Sequence, residues 1–148
     1  MDNDAKVSQR KQLSKIKNLI DKNIYPFSGR EIFLEENQKI YPLGYLSNTD
    51  ILFCRKDGKN FYYKSDKHGF RNSNNVWGKK TYDHVLIGDS FVQGSCVKDK
   101  DTMSNLIAKK TKKDVLNLGI GGFGPLAEYA TFLEFVEKKK PQKVYWFF

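Results

Sequence analysis

The sequence predicts an α/β domain built on a parallel sheet, and three observations carry that prediction. Val85-Leu86-Ile87 is a run of branched apolar residues, as in a strand covered on both faces, and Gly88-Asp89 ends it with a turn. Two further runs follow, Asp114-Val115-Leu116-Asn117-Leu118 and Val144-Tyr145-Trp146-Phe147-Phe148. Segments of helical spacing lie between them, and the rhythm strand, helix, strand, helix, strand implies parallel pairing through right-handed crossovers.

A chain of 148 residues holds one domain, or one domain with an appendage. Its 39% hydrophobic content, with 8 Tyr, 11 Phe and 2 Trp, is enough for a core. The net charge of +9 comes from 26 Lys+Arg against 17 Asp+Glu, with clusters at Lys79-Lys80, Lys109 to Lys113 and Lys138 to Lys140. Two of the clusters fall where helices should end, where cations complement the helix dipole, and no nucleic-acid module accompanies them. A nucleic-acid partner is therefore not expected. Cys54 and Cys96 have neither zinc spacing nor a disulfide framework around them, and are expected as reduced thiols. Met1 to Lys6 lacks the apolar segment of a secretory signal, and no window approaches the ~20 apolar residues of a membrane span. A cytoplasmic protein is the expectation that follows.

Taken in order, residues 1–26 form a first segment. Leu13, Ile16, Leu19, Ile20 and Ile24 recur at helical spacing, which predicts an amphipathic helix from about Ala5 to Lys22, closed by Asn23 and Pro26. Residues 27–80 change texture to short Tyr, Phe and Ile runs broken by Gly, Pro, Asn and Asp, a small β-rich subdomain. Its clearest unit is Ile51 to Arg55 and Asn60 to Lys64 around Asp57-Gly58, the signature of a hairpin turn. Ser65 to Asn72 follows as a loop. Residues 81–148 carry the three sheet strands. After the first, Asp101 or Thr102 can cap a helix with Met103, Leu106 and Ile107 facing inward. After the second comes Gly119-Ile120-Gly121-Gly122-Phe123-Gly124, then Pro125 at a helix first turn. That helix is expected to run to Lys140 with Leu126, Tyr129, Ala130, Leu133 and Val136 on its inner face. The chain stops on aromatic residues without a polar tail, so its end is expected to cut through a core.

The chemistry lies in the two loops. Ligands bind open α/β sheets at the carboxyl ends of the strands, and the Gly88-Asp89 turn delivers Ser90 there, a candidate nucleophile. Asp89 and Ser90 can equally be the caps of a following helix. A serine nucleophile needs donors for the oxyanion it creates, and small residues such as Gly121 and Gly122 leave backbone N–H groups uncovered on the neighbouring loop. The pairing of the two loops is more specific than either alone.

Gly88-Asp89-Ser90-Phe91, followed by Leu116-Asn117-Leu118-Gly119-Ile120-Gly121-Gly122-Phe123-Gly124-Pro125, resembles the first two sequence blocks of the SGNH hydrolases, also called GDSL esterases and lipases. Tyr63 to Asn72 resembles the segment that precedes the hydrolase core in many bacterial members. The resemblance covers 82–148 and, more loosely, the hairpin region. It implies a three-layer, flavodoxin-like parallel sheet, here carried as far as its third core strand, preceded by the N-terminal helix and the hairpin subdomain. It implies Ser90 as nucleophile and oxyanion donor, Gly122 as second donor, and Asp89, Gly121 and Asn117 in support. The substrate would be a small-molecule or carbohydrate ester, an O-acetyl group for instance, hydrolysed or transferred without metal or organic cofactor. The family's Gly-x-Asn-Asp and Asp-x-x-His blocks have no counterpart in 1–148, so this chain by itself is expected to be nearly inactive.

His84 lies six residues before Ser90 along a strand, roughly 20 Å away at ~3.3 Å per residue, and is excluded as its base. His68 and Arg71 sit in a loop whose position the sequence does not fix, and are candidates for facing substrate. Two further readings compete. Gly119-x-Gly121-x-x-Gly124 fits a dinucleotide fingerprint, although Val144 to Phe148 ends without an acidic residue for a ribose. Alternatively the fold only binds or scaffolds. The Gly-x-Ser-x-Gly elbow of α/β-hydrolases is rejected, since Val92 stands where its second Gly belongs.

Overall fold

In the computed structural model, which describes residues 24–26 and 42–148, the first apolar run of the last segment is the middle of the sheet. β4 (His84–Gly88) lies between β5 (Val115–Gly119) and β6 (Lys143–Trp146), and all three are parallel. All of β4 is buried, as expected of a strand paired on both edges and covered on both faces. Gly88 pairs with Gly119 and Ile87 with Trp146, so the three strands end at one level. Val85, Ile87, Leu116 and Leu118 pack with Phe70, Trp77, Tyr82, Ile120, Phe123 and Val136 into the main core. Phe70 and Trp77, from the segment 27–80, contribute to this core.

Three helices connect the strands: α1 (Ser90–Gln93), α2 (Met103–Thr111) and α3 (Pro125–Phe135). Thr102 caps α2, its hydroxyl accepting from the Asn105 N–H, and Pro125 opens α3 as expected. Lys109 and Lys110 fall in the last turn of α2, and Lys138 and Lys139 in a 3-10 turn after α3. Both inner faces differ from expectation. In α2, Leu106 is exposed and Ser104 is buried, because Ser104 meets the Asn117 side chain at 3.3 Å. In α3, which ends at Phe135 rather than Lys140, Leu126 is 83% exposed, Tyr129 and Leu133 are exposed, and Glu128 and Thr131 are buried. Val136 of the expected face is fully buried, but the helix packs on the main core through Ala127, Phe132 and Phe135 rather than through Leu126, Tyr129 and Leu133, and Trp146 Nε1 donates to the buried Glu128 Oε2 at 2.6 Å. β6 is likewise less buried than predicted. Like β5 it is an edge strand among the described residues, but unlike β5 it is uncovered, and Val144, Tyr145, Phe147 and Phe148 are exposed.

The small subdomain forms a second sheet in the order β1 (Ile24–Pro26), β2 (Asp50–Lys56), β3 (Lys59–Lys64). β2 and β3 are the predicted hairpin, antiparallel with Lys56 opposite Lys59. Asp57 (φ 50°) and Gly58 (φ 72°) take the two positive φ values that a tight two-residue turn requires. β1 runs parallel to β2 with Ile24 opposite Asp50, so Ile24 belongs to this sheet and not to a helical face. The helix expected over 5–22 lies outside the described residues. Ile51, Phe53 and Tyr63 make a small core of their own, with Phe53 and Tyr63 edge to face at 5.3 Å.

The expectation of reduced thiols is overturned. Cys54 and Cys96 form a disulfide, with Cα atoms 5.2 Å apart and a sequence separation of 42. Spacing could not signal it, because the contact arises only when the hairpin folds over the loop that follows α1. Among the described residues no helix is long and apolar enough to cross a membrane.

Candidate functional site

Ser90 is the first residue of α1 at the carboxyl end of β4, and it is half-buried. The cap of that helix is Asp89, whose Oδ1 accepts from the Phe91 N–H at 2.9 Å. Among the described residues no hydrogen bond engages the Ser90 Oγ, so its hydroxyl is not the cap. The glycine loop leaves β5 beside it: Gly119 pairs with Gly88, and the Ile120 N–H donates to the Gly88 carbonyl at 3.1 Å. Ser90 is thus two residues past one rung and Gly122 three past the same rung on the adjacent strand. Gly122 is exposed with φ 73°, a left-handed conformation that glycine adopts without strain.

The two loops approach closely because Gly119 has no side chain. A Cβ there would lie 2.2 Å from the Gln93 nitrogen and 2.6 Å from the Val92 carbonyl carbon, so no larger residue fits without moving α1. Asn117, fully buried, then fastens the pair. Its Nδ2 donates to the Val92 carbonyl and its Oδ1 accepts from the Gly119 N–H, both at 2.9 Å. The Gly121 N–H donates to Gln93 Oε1 at 2.8 Å, which holds the loop in place. An apolar groove of about 560 Å³ opens beside Gly122, walled by Leu43, Phe123, Pro125, Leu126 and Ala130 among others.

Arg71 reaches this region from the side, turned inward. Its guanidinium donates to the carbonyls of Gln93 (3.3 Å), Gly94 (2.7 Å) and Val97 (2.9 Å) and to Asp99 Oδ1 (2.6 and 2.9 Å), while lying over the Phe53 and Tyr63 rings. It braces the chain that follows Ser90. Asn72 does the same for β5, its side-chain amide pairing with the Asn117 backbone at 2.8 and 2.9 Å as a neighbouring strand would. His68 lies elsewhere. It packs on Trp77 (4.3 Å) and on Phe135 (5.4 Å), at the far end of α3 from the glycine loop, about 16 Å along an eleven-residue helix. His84 is buried at the opposite end of β4 beside Tyr145.

Two residues that the sequence did not flag hold the arrangement together. Gln93 is one, since a buried glutamine within an apolar turn carries no pattern of its own. The other is Asp66, whose carboxylate accepts from the backbone N–H groups of His68 and Phe70, from Asn72 Nδ2 and from Trp77 Nε1. The Asp-x-x-Gly spacing of Asp66 and Gly69 is the signal that could have found it.

Comparison with family models, with characterised proteins and with solved structures finds no match to this chain.

Proposed function

We propose that this chain carries the nucleophile and part of the oxyanion hole of a serine esterase of the SGNH type. The observation that supports this most is the division of labour at β4: Asp89 caps α1, and among the described residues the Ser90 hydroxyl is uncommitted on the rim beside the glycine loop. The strand order β5-β4-β6, with the first strand in the middle, agrees with the start of a flavodoxin-like sheet. In this reading Ser90 Oγ attacks the ester carbonyl carbon while a general base takes its proton. The N–H groups of Ser90 and Gly122 hold the oxygen that becomes negative. The alcohol leaves, and water or a second hydroxyl resolves the acyl-enzyme. By the resemblance the base is a His in an Asp-x-x-His block, a pattern that residues 1–148 do not contain.

A serine-directed fluorophosphonate tests the reading on the full-length protein, including whatever its gene encodes after Phe148. Covalent labelling that vanishes in Ser90→Ala is the expected result. A protein that stays unlabelled, or labelling that survives the substitution, favours a binding or scaffold role for the same fold.

A further inference from the structure

We propose that Gln93 is the positioning residue of this site: its buried carboxamide links the glycine loop to the hairpin and fixes the peptide next to the one whose N–H Gly122 supplies. The inference rests on the esterase reading above and adds to it a residue three positions past the nucleophile, on the turn that starts with Ser90. Gln93 is completely buried. Its Oε1 accepts from the Gly121 N–H at 2.8 Å, and its Nε2 donates to the Tyr63 hydroxyl at 3.0 Å. The orientation of the amide is dictated by chemistry, since a backbone N–H can only donate and must therefore face the oxygen.

Both ends of this link are themselves fixed. Tyr63 is buried in the small core against Phe53, and burial pushes its phenol well above the usual range, which keeps the hydroxyl protonated. The Gln93 backbone N–H bonds the Asp89 carbonyl at 3.0 Å, and its own carbonyl accepts from Arg71. A polar side chain in a dry interior is tolerated only when bonded, and here the two bonds join the glycine loop to the hairpin. The Gly121 N–H that Gln93 holds belongs to the peptide immediately before the Gly121–Gly122 peptide, so losing the bond frees the orientation of the proposed donor. Gln93 touches no reacting atom in this scheme and acts through the loop.

The test compares fluorophosphonate labelling rates at Ser90 in the full-length wild type, Gln93→Met, Gln93→Glu and Tyr63→Phe, with thermal melting as a control for folding. Gln93→Met is expected to slow labelling about ten-fold or more, as displacement of a catalytic donor does. Gln93→Glu, which keeps an acceptor towards Gly121, should recover most of that loss, and Tyr63→Phe should fall between. With p-nitrophenyl acetate the loss should lie in kcat and leave KM unchanged. Labelling of Gln93→Met at the wild-type rate overturns the positioning role while the Ser90 reading stands. A wild type that is not labelled overturns the Ser90 reading, and the positioning role with it. If Gln93→Met fails to fold, Tyr63→Phe, which removes one oxygen atom, decides the question: a wild-type rate and kcat there overturn the proposal.

Discussion

The two ends of the parallel sheet are held by different physics. At the carboxyl end, the loops after β4 and β5 are fastened by buried groups with fixed directions: Asn117, Gln93 and Arg71, each bonded to backbone. At the amino end, backbone bonds such as the His84 N–H to the Asp114 carbonyl and the Lys143 N–H to the Asp83 carbonyl are supplemented by charges near the surface, Lys79 with Asp114 and Lys113 with Asp83 (3.4 Å), whose side chains are mostly half-exposed. Ion pairs in water are weak and screened, whereas a buried directional bond resists displacement by tenths of an ångström. The difference lies in the side chains: buried directional bonds cluster around Ser90, whereas the opposite end adds surface charges to its backbone ladder.

The sharpest way to break that contrast is Arg71→Ala. It strands the Gln93 and Gly94 carbonyls and removes the cation from the Phe53 and Tyr63 faces, so a loss of about 3–5 kcal/mol is expected in urea unfolding. Arg71→Lys should recover only a small part, because an ammonium cannot span three carbonyls and a carboxylate at once. A loss under about 1 kcal/mol for Arg71→Ala would mean that the chain after Ser90 is not braced as its bonds indicate.

Next in size is the disulfide, which ties β2 to the same stretch of chain. Cys54→Ser opens a 42-residue loop and should cost about 2–4 kcal/mol, and reductant should bring the wild type down to the level of the variant. If wild type and variant unfold together without reductant, the bond contributes nothing and the bracing falls to Arg71 alone.

Much of the fold was legible because it rests on local chemistry. The three strand runs, the Asp57-Gly58 turn, the Thr102 cap and Pro125 at the start of α3 each follow from residues within a few positions of one another. What the sequence hid depends on distant partners. Leu126, Tyr129 and Leu133 mark a helix correctly by spacing, yet spacing does not say which face turns inward. That depends on what the helix meets: Ala127, Phe132 and Phe135 pack on the main core, and Glu128 is bonded by Trp146, eighteen positions away. Cys54 and Cys96 meet for the same reason of tertiary folding. At the candidate site, Ser90, Asp89 and the glycine loop announced themselves through residue type, while Arg71 was legible as a charge but not as a brace. Gln93 gave no signal, because nothing in a sequence distinguishes a buried glutamine from a solvated one.

The smallest effect, and the one that probes the other end of the sheet, comes from Asp83. The Asp114 N–H donates to its Oδ2 at 3.0 Å and lowers its pKa, partial burial opposes this, and Lys113 adds to the lowering. A carboxylate whose pKa is lower folded than unfolded stabilises the fold above its ordinary value of about 3.9, and the contribution disappears as pH falls through that value towards the folded one. Asp83→Asn keeps an oxygen for the Asp114 N–H but loses the charge. The stability gap between wild type and this variant should therefore be present at neutral pH, close below about pH 4, and shrink with added salt, as urea titrations at two salt concentrations would measure. A gap that ignores both pH and salt would place a rigid bond at the amino end too, and the contrast with the Ser90 end would fail.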